Sequence, residues 1–411
     1  MSSKTSADSF QERSIQTALG ITFDQIGFLV LTASVVALLA RKVHLPYTVG
    51  LVLTGIVLAA VPMAAPAPLT KHLIFFVFLP PLVFEAAFSI PWHELRRDLP
   101  VILTLATVGV LLSAGLTAAG MHYAAHWQWT TALLFGVLIA ATDPVSVIAT
   151  FKAAGVEGRL RVLVEAESLF NDGTAAVAFG IALTVVQGGF LSGSGIALSF
   201  VVTVFGGIVC GLVVAGTALL LAGHTDDHLL EIALTTVAAY GSFLLAEHFH
   251  LSGVLASLSA GLLIGNAGSL GSFTDKGREA VGTVWEYIAF LANSLIFLLI
   301  GLRLTHENFA EVWVPAIIAV VLVVLGRALA VYPCCALFAR SAQRVPWGHQ
   351  HILVWGGLRG ALALALALGL PPELPQRQEI TTAAFAVVTF SIVVQGVTMK
   401  PLLKKVGALG S

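Results

Sequence analysis

Between positions 164 and 173 the chain reads VEAESLFNDG, placing Glu165, Glu167, Ser168, Asn171 and Asp172 inside an otherwise apolar stretch. Carboxylates beside a hydroxyl and an amide make a hard, oxygen-rich donor set. It suits a proton or a small hard cation better than zinc or copper. On a helix, taking Glu165 as zero, Glu167 and Asn171 fall at about 200° and 240°, and Ser168 and Asp172 at about 300° and 340°. The groups therefore form two adjacent strips, each an i, i+4 pair. One strip can brace the fold while the other lines a site. Glu165 lies nearest the end of the stretch, within reach of a polar boundary, and is the weakest member.

Two further segments carry the same kind of chemistry. In IAATDPVSVIATF, Pro144 has no N–H for the carbonyl of Ala140 and disfavours helix at Asp143. A break there frees backbone carbonyls, that of Thr142 among them, beside an acidic side chain. In LVWGGLRGALALALALGLP, Gly356, Gly357 and Gly360 weaken the helix around Arg359, which is too deep in its apolar run to reach an interface. Arg327, in VVLGRALAVY, is a second buried cation, and Glu85, in FLPPLVFEAAFSI, a further buried carboxylate.

The elements that position these groups must lie in a bilayer. Of 411 residues 57% are hydrophobic and only 10% charged, where a soluble chain carries about 25%. Apolar runs long enough to cross a hydrocarbon core of ~30 Å recur along the chain. Thirteen spans are expected, near 21–40, 46–62, 70–88, 99–120, 130–151, 160–187, 195–222, 229–247, 251–266, 281–303, 312–339, 350–370 and 378–399. Residues 1–20 form a polar N-terminal segment without the pattern of a cleaved signal peptide. Residues 400–411 are expected to form a short cytoplasmic tail. The three cysteines sit in apolar segments, so no disulfide framework is implied.

Lys and Arg set the orientation. Fourteen fall in the odd-numbered loops and the C-terminus, against five in the N-terminus and even-numbered loops. This places the C-terminus in the cytoplasm and the N-terminus outside, in a multi-pass protein of the cell membrane. Thirteen spans also divide as six, a linker and six. An offset of seven crossings inverts the second half, the inverted-repeat plan of secondary transporters. The fifth and twelfth spans, which correspond under that offset, are the two with helix breakers at mid-segment.

Buried charges then number four carboxylates, Glu85, Asp143, Glu167 and Asp172, against Arg359 and Arg327. A carboxylate left without a counter-charge can be held either protonated or ionised near neutral pH. It then binds a proton or a cation, one excluding the other. That is the logic of exchange.

The motifs ATDPVSV, ESLFNDGTA, LPPLVFEAAF, NSLIFLLIGL and GGLRGALALALAL together resemble the monovalent cation/proton antiporters of the NhaP type, relatives of the animal sodium/proton exchangers. The resemblance spans most of the chain. It implies an all-α fold with about 13 transmembrane helices, inverted six-helix repeats and two broken helices crossing near the midplane. A transport core (about 99–187 and 312–399) would face a dimerisation scaffold (about 21–88 and 229–303), joined by a linker helix near 195–222. Carried over by motif, Asp172 binds ion or proton, and a sodium ion at Asp172, Ser168 and Thr142 is completed by Asp143 and Glu167. Glu167 would pair with Arg359, and Asn171 would hydrogen-bond Glu85. Relatives with two aspartates at the Asn171–Asp172 position tend to be electrogenic. Asn171 carries no proton, so one cation for one proton is implied, in a homodimer, with no cofactor and no nucleic acid partner.

Other readings compete. A potassium/proton antiporter has the same fold. An intramembrane aspartyl protease could nominate Asp143 and Asp172, but its Gly-x-Gly-Asp motif is absent and Arg359 has no role in it. A cation channel calls for a filter, commonly built by symmetry. A metal enzyme would rest on Glu247, His248 and His250 alone. An exchanger accounts for the most residues.

Overall fold

The computed structural model describes residues 23–43, 46–60, 69–189, 192–225, 227–267 and 275–408. The polar segment 1–20, the end of the second expected span, residues 268–274 of the 267–280 connector and residues 409–411 of the expected tail lie outside the described residues. The described residues are helical almost throughout, with no strand. They run as α1 (Phe23–Val43), α2 (Tyr47–Leu58), α3 (Leu73–Phe88), α4 (Trp92–Ala125), α5 (Trp129–Leu138) and α6 (Val145–Ala154). Then follow α7 (Arg159–Val186), α8 (Gly193–Ala222), α9 (His228–His248), α10 (Gly253–Asn266) and α11 (Asp275–Leu304). Last come α12 (Phe309–Leu337), α13 (Trp347–Trp355), α14 (Ala361–Leu368) and α15 (Arg377–Lys405). Among the described residues, seven helices are long and apolar enough to cross a membrane.

The pairs α5/α6 and α13/α14 are the two broken spans. After Leu138 the chain leaves the helix, and it re-enters at Val145 directly behind Pro144, as proline chemistry demands. The second break covers Gly356 to Gly360. The two unwound segments meet: the Asp143 N–H donates to the Leu358 carbonyl at 2.7 Å. Each break thus satisfies part of the other's backbone, which irregular chain at membrane depth requires.

Two helix groups are evident from packing. In one, α4 lies against α5, α7 and α12, and α15 against α12 and α14. In the other, α11 packs on α1, α2, α3 and α9, and α10 on α3, α8 and α9. Gly55 and Gly301 let α2 and α11 touch backbone to backbone. A methyl on Gly55 would collide with the Leu298 carbonyl, and one on Gly301 with that of Val52. α8 carries a largely unburied apolar surface, including Leu198, Phe205, Val213 and Leu220.

Several boundaries differ from the sequence expectation, among them the start of α11 at Asp275 rather than near 281. α4 begins at Trp92 rather than near 99, because Asp98 is buried and gripped by Arg159 (Nη2 to Oδ1, 2.7 Å), whose guanidinium also reaches the carbonyls of Gln343 and Arg344. α15 runs on to Lys405, so residues 400–405 of the expected tail are helical. Lys404 and Lys405 in its last turn favour that extension through the helix dipole.

Candidate functional site

The breaks leave four half-helix ends in the interior, each with unsatisfied backbone groups and partial charge. Asp143 serves both N-termini. Its Oδ1 accepts the Val145 N–H of α6 at 2.9 Å, and its carboxylate also accepts the Ala361 N–H that opens α14. Gly360 makes the approach feasible, since a methyl there would collide with the Asp143 carboxylate. The C-termini meet cations. Arg359 Nη1 donates to the carbonyls of Ala140 and Ala141 just beyond α5, the latter at 3.0 Å. Arg327 Nε donates to the Leu353 carbonyl in the last turn of α13 at 3.1 Å, and Gln395 Nε2 to that of Trp355 at 3.2 Å. Sequence reading did not single out Gln395.

The helix α7 presents its polar strips to this crossing. Glu167 is fully buried and holds Arg327 in a two-pronged pair, Nη1 to Oε1 at 2.8 Å and Nη2 to Oε2 at 2.7 Å. The expected Glu167–Arg359 pair is therefore corrected. Arg327 projects from the long α12 to α7, while Arg359 is spent on the carbonyls its own break faces. The expected Asn171–Glu85 bond is also replaced: Asn171 Nδ2 donates to Glu167 Oε1 at 3.3 Å, one turn back on the same helix. Glu85 instead has Glu165, Lys152, Glu286 and Arg161 as its charged neighbours, apart from the crossing. Glu165 is held by Arg161 at 3.4 Å.

The other strip faces the break. The Thr142 N–H donates to the Asp172 carboxylate, and Thr142 Oγ1 donates to Ser168 Oγ at 3.2 Å. The charged groups acting on Asp172 are Asp143, Glu167 and Arg359. Asp172 Oδ1 and Asn171 Oδ1 are buried and have no hydrogen-bond partner. Thr142, Asp143, Glu167, Ser168, Asn171, Asp172, Arg327 and Arg359 are thus brought together, and Glu85 is not among them.

Around the crossing three carboxylates, Asp143, Glu167 and Asp172, face two guanidiniums, Arg327 and Arg359. Asp143 and Glu167 are taken up by backbone and by Arg327. Asp172 keeps a buried oxygen without a partner, while the Thr142 and Ser168 hydroxyls bond each other. With all five groups ionised the cluster carries one net negative charge.

A model of the sodium/hydrogen exchanger transmembrane family matches residues 30–405. The chain belongs to that family. Among curated relatives, the sodium/proton antiporter ApNhaP of Aphanothece halophytica is 39% identical over 89% of this chain and 71% of its own. The antiporter NhaH of Halobacillus aidingensis is 34% identical over 94% of this chain and 98% of its own. The solved sodium proton antiporter MjNhaP1 of Methanocaldococcus jannaschii superposes with a TM-score of 0.74 at 21% identity, covering 94% of this chain and 98% of that one. This exchanger-family chain therefore shares the fold of that antiporter, and it is a multi-pass membrane protein.

Proposed function

We propose that the chain is a monovalent cation/proton antiporter, exchanging sodium or lithium for protons without net charge movement. The observation that carries the reading is the charge balance at the helix crossing. Three buried carboxylates against two fixed guanidiniums leave a single negative charge, centred on Asp172. One proton or one monovalent cation neutralises it, and the two compete. A buried, uncompensated charge is costly to carry, so the loaded forms are those in which the site can move.

In this account the cation takes the free Asp172 oxygen, with Ser168 and the Thr142 backbone as further oxygen donors. Asp143 acts chiefly on the two helix N-termini and tunes the field at Asp172. Glu167 with Arg327 fixes α7 to α12 and α13. Asn171, which cannot ionise, adds no second proton, which supports one-for-one exchange. The names of the curated relatives favour sodium over potassium as substrate.

The apolar runs support thirteen crossings, and the Lys/Arg bias supports an N-terminus outside and a C-terminus in the cytoplasm. The group containing α4–α7 and α12–α15 is assigned as the moving transport core, and the group of α1–α3 with α9–α11 as the scaffold through which a homodimer forms, with α8 linking them. The cell membrane is the site of action, with no cofactor required. The aspartyl protease reading loses support, because Asp143 is engaged by two backbone N–H groups and cannot share a water with Asp172 as an equal partner. Exchange measured in proteoliposomes under a voltage clamp tests the proposal, as set out at the end of the Discussion.

A further inference from the structure

The two helix groups are tied by a buried contact that the charge balance does not use. Thr48 Oγ1 and Ser146 Oγ lie 2.6 Å apart. Thr48 is 0% and Ser146 3% exposed. Thr48 sits in the first turn of α2, which packs on α1 and α11. Ser146 sits in the first turn of α6, the turn whose Val145 N–H is held by Asp143. A second bridge between the groups, Lys152 Nζ to Glu286 Oε1 at 3.3 Å, has side chains 53% and 70% exposed. Such a surface pair constrains little. A buried hydroxyl pair differs, because separating it without new partners strands two polar groups.

We propose that Thr48 and Ser146 form a positioning latch for exchange. Their hydrogen bond fixes the first turn of α6, and with it the Asp143 cap, against α2 in this conformation. It opens when the core shifts to present Asp172 to the other side. The inference rests on the antiport reading, since only a transporter that alternates needs this contact to open. The hydroxyls act through the α6 turn and are not cation ligands.

The test begins in a background with Cys210, Cys334 and Cys335 replaced by serine, into which Thr48→Cys and Ser146→Cys are introduced together. In proteoliposomes, sodium-driven proton exchange is measured after oxidation with copper phenanthroline and again after dithiothreitol. The latch predicts cross-linking, at least a tenfold loss of exchange when cross-linked, and recovery on reduction. Undiminished exchange in fully cross-linked protein would overturn it, as would failure of the two cysteines to cross-link.

A second series removes the bond gently. Thr48→Val, Ser146→Ala and the double variant should each change kcat and the apparent sodium KM unequally. The expected change is about three- to tenfold, the effect of one net hydrogen bond on an equilibrium. The double variant should match the singles, and Thr48→Ser should restore wild-type values. Lowered thermal stability with unchanged kcat and KM per folded protein would reduce the contact to a structural one. The parent protein is run in the same vesicles: if it shows no exchange, the antiport reading fails, whereas an active parent with an active cross-linked variant rejects the latch alone.

Discussion

Arg327 and Glu167 form a buried two-pronged ion pair, at 2.7 and 2.8 Å, and the same guanidinium also caps α13 through the Leu353 carbonyl. One side chain thus joins three helices, α7, α12 and α13. Removing either partner leaves an uncompensated charge in the interior. Arg327→Ala and Glu167→Ala should each destabilise the protein by about 3–5 kcal/mol. The double variant Arg327→Met/Glu167→Met should be less destabilised than either single. Thermal unfolding in detergent, followed by size-exclusion fluorescence, reads the three variants side by side.

Arg359 has a different task, and its loss should look different. It donates to the carbonyls of Ala140 and Ala141, and its Nε has no partner. Arg359→Ala strands no paired carboxylate, so its stability loss should be smaller than that of Arg327→Ala. Exchange should nevertheless fall by more than about tenfold, because the field at Asp172 loses a cation and the end of α5 loses its cap. Comparing melting temperature with exchange rate across the two arginine variants decides this. Equal destabilisation would mean that Arg359 also carries a structural pair.

The sequence made the Asp143 and Asp172 positions legible because charge inside an apolar run is costly and proline interrupts a helix wherever it falls. Both arguments are local. Which arginine meets Glu167 is not local. Arg327 and Arg359 are each buried mid-span with no periodic pattern to separate them, and the choice is made by how α12 packs on α4, which in turn lies against α7. Asn171 illustrates the same limit. Its bond to Glu167 spans one helical turn and is available from spacing alone, yet the expected partner is Glu85, whose charged neighbours are Glu165, Lys152, Glu286 and Arg161. Thr48 and Ser146 carried no signal, since isolated hydroxyls in apolar helices are common and these two are 98 residues apart.

Gly360 should tolerate no side chain. A methyl there would collide with the Asp143 carboxylate, which holds the N-termini of both α6 and α14. Gly360→Ala should therefore cut exchange by more than about tenfold, on the scale by which displaced groups at a site lose function. Asp143→Asn, which keeps an oxygen acceptor for the backbone N–H groups, should retain more stability than Asp143→Ala. The same unfolding assay compares the two Asp143 variants, and an Asn variant no more stable than Ala would contradict the capping role.

Competition at Asp172 fixes the sign of the pH dependence. Protons occupy the same oxygens as the cation, so the apparent sodium KM should rise as pH falls. At saturating sodium the acid-side loss of activity should be partly recovered. Initial exchange rates over a grid of sodium and proton concentrations test this, and a sodium KM independent of pH would exclude a shared site.

Sodium/proton exchange in proteoliposomes bears most directly on the central claim. Vesicles set to a fixed internal pH receive external sodium, lithium or potassium while an internal dye follows protons, with valinomycin and potassium clamping the voltage. The account predicts cation-dependent internal alkalinisation by the wild-type protein as external sodium enters in exchange for protons. It also predicts indifference to the clamp, and loss of the signal in a folded Asp172→Asn variant. Wild-type-like exchange in that variant, or no cation-dependent proton movement by well-folded wild-type protein at any pH, would contradict it.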